Sequence, residues 1–202
     1  DADKKKYLEE NEKKLLKKHP NYNREISYFC ELNPNESVRT YVKLMLMESM
    51  YAEETIVAFD HDLGGGATAY LLKLEQQELQ RGRSFCTVRY EYETGRYKVQ
   101  FRVKKYDVLL KLDSLKEVFA FLEEIKPDKM IINELVTYPN LYNFLKEIRN
   151  YKMLHGIFLQ MLMHDYFSVC PTINLLNNQK EYCGIPSVEV CKECLQKNAN
   201  LG

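Results

Sequence analysis

The stretch from Thr55 to Gly66 constrains this chain more than any other. Thr55-Ile56-Val57-Ala58-Phe59 is an unbroken run of strand-forming, mostly apolar residues, as expected of a parallel strand covered by helices on both faces. Asp60-His61-Asp62-Leu63 follows, then Gly64-Gly65-Gly66. Glycines allow positive φ and let another group approach the backbone closely. A helix is predicted from about Ala67 to Arg81, and its start offers free N–H groups and a partial positive charge. Three roles are open to such a turn. It can seat an anion or a hydroxyl-rich ligand, it can bind a dinucleotide through Gly64-x-Gly66-x-x-Ala69, or it can simply pack helix on strand. The spacing argues against the dinucleotide. Such a loop puts its first glycine at the strand end, whereas four residues separate Phe59 from Gly64, and two of them are carboxylates that repel a pyrophosphate. Carboxylates do accept hydrogen bonds from sugar hydroxyls.

Downstream the pattern stays regular. Ser84 to Tyr92 and Tyr97 to Val103 alternate in period two around Thr94-Gly95, a hairpin signal. Tyr106 to Leu112 reads as a further strand, and Asp113-Ser114 caps a helix over Leu115 to Ile125. Lys129 to Asn133 is a strand, Leu141 to Tyr151 a helix, and Ile157 to Met163 a strand that looks central. Strands and helices alternating at these lengths imply parallel βαβ units. The expected fold is α/β: a Rossmann-like parallel sheet (54–168) with a β-hairpin insertion, a helical N-terminal extension (1–53) and a Cys-rich C-terminal tail (169–202) packed on the domain.

Within the extension, Asp3 to Lys18 reads as a charged helix stopped by His19-Pro20-Asn21. Ile26 to Leu32 reads as a short strand. Asn35-Glu36-Ser37 caps a helix carrying Val38, Tyr41, Val42, Met45, Leu46 and Met50, whose methionines read as core filler. Basic and acidic residues balance at 29 each, so no global field draws nucleic acid or anionic lipid. No apolar run approaches the roughly 20 residues of a membrane span, and the lysine-rich opening is unlike a secretion signal. A cytoplasmic protein is expected, at most peripheral to a membrane.

Ligands of open parallel sheets bind beyond the carboxyl ends of the strands. Asp60 to Gly66, Asn133-Glu134 and His164-Asp165 all fall at such ends and are expected to converge. Asp60, His61, Asp62, Gly64, Gly65, Gly66, Asn133 and Glu134 are therefore candidate substrate contacts. His164 and Asp165 are the candidate catalytic residues, since imidazole at a strand end can hold a hydroxyl or phosphate or move a proton. A histidine merely satisfied by a neighbour is the plainer alternative.

Six cysteines are present. Cys30 and Cys86 stand alone in strand-like segments, where a buried thiol is the ordinary expectation. Cys170, Cys183, Cys191 and Cys194 follow the spacing C-x12-C-x7-C-x2-C. The terminal C-x-x-C suits half of a structural zinc site. Free thiols, disulfides and an iron–sulfur cluster are the alternatives.

His61-Asp62-Leu63-Gly64-Gly65-Gly66 after a buried strand resembles the first turn of group 1, or family 4, glycosyltransferases, which transfer sugars during cell-surface polysaccharide assembly. The resemblance continues at Pro139-Asn140-Leu141 and is strongest from His164-Asp165-Tyr166-Phe167 through Cys170-Pro171-Thr172-Ile173-Asn174-Leu175. It reaches Tyr182-Cys183-Gly184 and Cys191-Lys192-Glu193-Cys194-Leu195, and so spans about three quarters of the chain. It implies a GT-B enzyme of two Rossmann-like domains, of which this is the acceptor-side half. The nucleotide-sugar donor would bind a further C-terminal domain, whose paired-glutamate motif has no counterpart here, and the acceptor would be a glycan or lipid-linked sugar. By the resemblance, Gly64 to Gly66 line the cleft near the donor's phosphate and sugar, and His164 contacts the transferred sugar. Ala67 and Thr68 depart from the polar residues expected after the glycines. Two other readings compete: a nucleotide-cofactor Rossmann enzyme, and a non-catalytic binding module stabilised by zinc.

Overall fold

A computed structural model describes residues 2–33, 35–48, 54–104, 106–167 and 169–197. The chain divides into two compact units, Asp1–Met45 and Leu46–Gly202.

The first unit is helical. Helices α1 (Ala2–Lys18) and α2 (Tyr22–Leu32) are followed by α3 (Glu36–Glu48), which begins in this unit. The segment expected as a strand at Ile26–Leu32 lies in α2. Tyr22, Ile26, Phe29 and Cys30 are spaced at i, i+4, i+7 and i+8, a helical period that a window beginning at Ile26 cuts off. Asn33 ends α2 in the left-handed conformation (φ 36°), its N–H donating to the Phe29 carbonyl at 2.8 Å. None of this unit's described residues is buried. Met45 is exposed and so is not core filler, and Val38, Tyr41, Val42 and Cys30 are exposed too. Met50 lies outside the described residues.

The second unit is an α/β structure around one six-stranded sheet. Its elements are β1 (Thr55–His61), α4 (Gly66–Gln80), β2 (Ser84–Glu91), β3 (Arg96–Val103), β4 (Tyr106–Leu112), α5 (Leu115–Ile125), β5 (Lys129–Ile132), α6 (Leu141–His155), β6 (Phe158–Met161) and α7 (Val188–Lys197). The strand order is β4-β3-β2-β1-β5-β6. β2, β1, β5 and β6 run parallel, while β3 and β4 pair antiparallel beyond β2. The sheet is thus mixed rather than parallel, and the expected hairpin insertion forms its antiparallel wing. β6 lies at the edge instead of the centre, and its burial pattern has no fully buried residue.

Alternation along β1 divides the core into two layers. Ile56 and Ala58 join Phe85, Ile131 and Leu71 of α4 on one face. Val57 and Phe59 point to the other face, where Phe59 meets Phe144 of α6 edge-on at 5.2 Å. α5 covers the same face, Phe121 packing on Phe101 and Phe119 on Tyr151 of α6. Ser114 starts α5 by accepting a hydrogen bond from the Glu117 N–H at 3.2 Å, while the Glu117 carboxylate accepts one from the Asp113 N–H at 2.7 Å. The first bond caps the helix and the second ties the residue before the cap to its first turn. All seven residues of β1 are buried: the apolar run to Phe59 as its composition predicts, and the polar Asp60 and His61 beyond it.

Topology also locates the crevice. From β1 the chain steps through α4 to β2 on one side, and through α5 it arrives at β5 on the other. Helices α4 and α5 therefore cover opposite faces, and the order in which the chain adds its parallel strands reverses between β1 and β5. At such a switch point the connections leave the strand ends in opposite directions and open a crevice.

Candidate functional site

Asp60 and Asn133 stand at that switch point. β1 continues two residues past Phe59, and the register puts Asp60 beside Arg89 of β2. The Asn133 N–H donates to the Phe59 carbonyl at 2.8 Å, extending the β1–β5 ladder to the strand end. Asp60 is completely buried. Its Oδ2 accepts from Arg89 Nε at 3.1 Å and from Thr68 Oγ1 at 3.3 Å, and its Oδ1 accepts from Asn133 Nδ2 at 2.7 Å. A buried carboxylate needs such partners to stay charged. These bonds occupy Asp60 internally, so its part in any site is to hold its neighbours.

Asn133 carries the arrangement outward. Its Nδ2 also donates to the Ala67 carbonyl at 3.1 Å, and its Oδ1 lies 2.8 Å from His164 Nε2. With Nδ2 donating to two acceptors, Oδ1 must accept, so His164 carries a proton on Nε2. In the neutral ring Nδ1 is then the basic nitrogen. The His164 ring also meets the half-exposed Tyr70 of α4 at 5.6 Å and 63°. His61 is buried, and its Nδ1 accepts from the Leu63 N–H at 3.0 Å. Its Nε2 therefore carries the proton of the neutral ring.

Glu134 is buried beside this pair, its Oε1 accepting from the Leu135 N–H at 2.9 Å. Burial raises its pKa above the ordinary carboxylate range. The Leu135 N–H opposes that shift, the charge of Asp165 adds to it, and His61 and His164 oppose it in turn. A carboxyl with a raised folded pKa binds more protons folded than unfolded, so it lowers stability as pH rises from the unfolded value through the folded one. Glu134→Gln is accordingly expected to raise the melting temperature at pH 7 and to bring no gain below pH 4, as thermal melts across that range will show.

Asp165 is exposed and accepts from the Phe167 N–H at 2.8 Å, closing a turn after β6. Residues 132–135 and 161–165, with Leu141, Leu145 and Phe167, line a cleft of about 110 Å³. Drug-sized ligand sites begin near ~300 Å³, so this cleft is the size of a subsite.

The glycine turn lies outside that cleft but is tied to it through Ala67. Gly64 and Gly65 adopt φ of 79° and 91°, which a side chain would strain. Gly66 has no such φ, and a Cβ built on Gly64, Gly65 or Gly66 meets nothing within 4 Å. Close packing of helix on strand is therefore not what these glycines serve, and the backbone faces open space. Only Asp62 and Leu63 separate the end of β1 from Gly64, not the four residues expected. Of the two carboxylates expected to repel a pyrophosphate, Asp60 is neutralised by Arg89 and only Asp62 is exposed.

Sequence reasoning missed Arg89, Thr68 and Tyr70. The first two carry no motif, because the register that sets Arg89 against Asp60 is a tertiary property; Tyr70 has only its place one helical turn beyond Gly66. Elsewhere, Cys86 is buried, as expected, and burial pushes its thiol far up. Cys170, Cys183, Cys191 and Cys194 are free and all line one pocket of about 240 Å³. Among the described residues no group of three or more His, Cys, Asp or Glu side chains is already gathered for a metal ion. No helix among them is long and apolar enough to cross a membrane. Comparison with protein-family models, curated proteins and solved structures finds no match to this chain, and the strand-end cluster is what a functional reading must explain.

Proposed function

We propose that the chain is the acceptor-binding half of a nucleotide-sugar-dependent glycosyltransferase, a Rossmann-like GT-B domain that works with a donor-binding domain on a further segment. The acceptor would be a glycan or lipid-linked sugar at the cytoplasmic face of a membrane. One observation carries the reading. A chain of bonds runs from Arg89 through the buried Asp60 and Asn133 to the exposed His164, and Asn133 ties it to Ala67, which follows a glycine backbone that neither its packing nor, at Gly66, its φ requires. Glycine there suits a ligand lying against the first turn of α4.

In this reading Asp60 and Asn133 are positioning residues. They fix the tautomer of His164, so that Nδ1 can accept a hydrogen bond from a sugar hydroxyl while the Nε2 proton of His61 can donate one. Glu134, with its raised pKa, can donate or accept at the cleft wall, and Asp165 contributes charge at the rim. The sequence resemblance sets His164 beside the transferred sugar, in keeping with these roles.

The short approach to Gly64 gives a nucleotide-cofactor enzyme some weight as a second reading. Titration calorimetry of the 202-residue chain separates the two. A panel of mono- and oligosaccharides is expected to show weak binding, reduced at least tenfold by His164→Ala, with no response to NAD or NADP. Micromolar NAD(P) binding that survives His164→Ala would overturn the proposal.

A further inference from the structure

We propose that Cys170, Cys183, Cys191 and Cys194 form a closed structural site for Zn²⁺ that shapes the segment from Val169 to Lys197, independently of the chemistry at the strand ends. The four thiols come from three separate pieces of backbone. Cys170 follows the turn after β6, its N–H donating to the Tyr166 carbonyl at 2.7 Å. Cys183 stands beyond the bridge between Leu176 and Tyr182, its N–H donating to the Leu175 carbonyl at 3.0 Å. Cys191 and Cys194 are three apart on α7 and share one face. The fold nevertheless brings all four to the wall of one pocket of about 240 Å³. No histidine, aspartate or glutamate lines that pocket. Thr172, whose hydroxyl lies 3.1 Å from Cys170 Sγ, and Asn177 also line it, but four thiolates with no imidazole or carboxylate among them fit a closed tetrahedral site, without an open position for water or substrate.

Two properties of the segment point the same way. Leu175 is its only buried residue among those described, so little apolar burial holds it. Ile173, Leu175, Lys180 and Ile185 also adopt positive φ, from 51° to 63°, a region disfavoured for residues with a Cβ and most of all for β-branched isoleucine. Four strained residues in a segment with almost no core need another source of folding energy, and metal ligation supplies it in small domains. Among the described residues the four thiols are not gathered on one centre, so binding requires them to close on the ion. Binding exchanges four thiol protons for one Zn²⁺, so the site weakens as pH falls.

The test uses the full chain purified without chelator. Elemental analysis is expected to find one zinc per chain. Ellman's reagent should titrate only the exposed Cys30 quickly, Cys86 being buried, and four further thiols should react after a chelator removes the metal. Cobalt exchanged into the chain should give the sulfur-to-cobalt charge-transfer band and tetrahedral d–d bands of four-thiolate ligation. Cys194→Ser should weaken the charge-transfer band and shift the d–d bands. If that variant does not fold, the thiol count and cobalt spectrum of the unaltered chain still decide the matter. Metal-free protein with these four thiols reactive from the start, iron in place of zinc, or disulfides found by mass spectrometry would each overturn the proposal.

Discussion

Replacing Asp60 with alanine is expected to destabilise the fold by about 3–5 kcal/mol, the usual cost of removing one partner from a buried ion pair. The loss has three parts. Arg89, whose side chain is only 15% exposed, loses its carboxylate. Asn133 keeps the Ala67 carbonyl but loses the acceptor at 2.7 Å. Thr68 loses its link from α4 to β1. Urea unfolding of Asp60→Ala measures the sum. A double variant, Asp60→Leu with Arg89→Met, separates charge from shape, because apolar residues of similar volume often replace a buried pair at little cost. It should recover most of the stability. It should not recover saccharide binding, since Asn133 would be held by the Ala67 carbonyl alone and His164 would be less firmly positioned. Recovery of both would mean that the pair serves the fold alone.

Phe144→Ala is expected to cost a similar ~3–5 kcal/mol, the range for a large aromatic removed from a packed core. Phe144 is completely buried, meets Phe59 at 5.2 Å and lies 4.7 Å from Tyr138. Tyr138 in turn donates its hydroxyl to the Val88 carbonyl at 2.6 Å, so the cavity would loosen both α6 and the loop that follows β5. Leu141 and Leu145 of α6 line the cleft, which makes the substitution a test of coupling as well. Thermal and urea unfolding should show the stability loss, and Phe144→Leu should show a markedly smaller one. Ligand binding by Phe144→Ala should weaken in step, because the cleft wall would no longer be held in one position.

Much of the second unit was legible from residue patterns. β1, the hairpin of β2 and β3, the capped helix α5 and the β5–α6 pair fall within a few residues of where alternation, caps and helical periods put them, because those signals are local. Misreadings arose where the deciding interaction was not local. Ile26–Leu32 resembled a strand until Tyr22 completed its helical period. β6 looked central because its residues are apolar, yet strand order is set by how the chain crosses the sheet, and Phe158 and Met161 are exposed at the edge. The four-residue gap before Gly64 shrank because pairing with β2 draws Asp60 and His61 into the strand.

By itself the sequence determined which residues could gather at the strand ends: Asp60 and His61, Asn133 and Glu134, His164 and Asp165, with the glycines beside them. Their position after successive strand-like runs was enough for that. Only the tertiary structure decided which of them bond to one another inside the protein and which line the open cleft. Asp60 was an expected substrate contact, but Arg89 stands beside it in the β1–β2 register and Asn133 at the matching end of β5. A carboxylate completely removed from water must bond within the protein. His164 lies at the outer end of the same chain of bonds, and the physical reason is the register of three strands, which no single stretch of sequence contains.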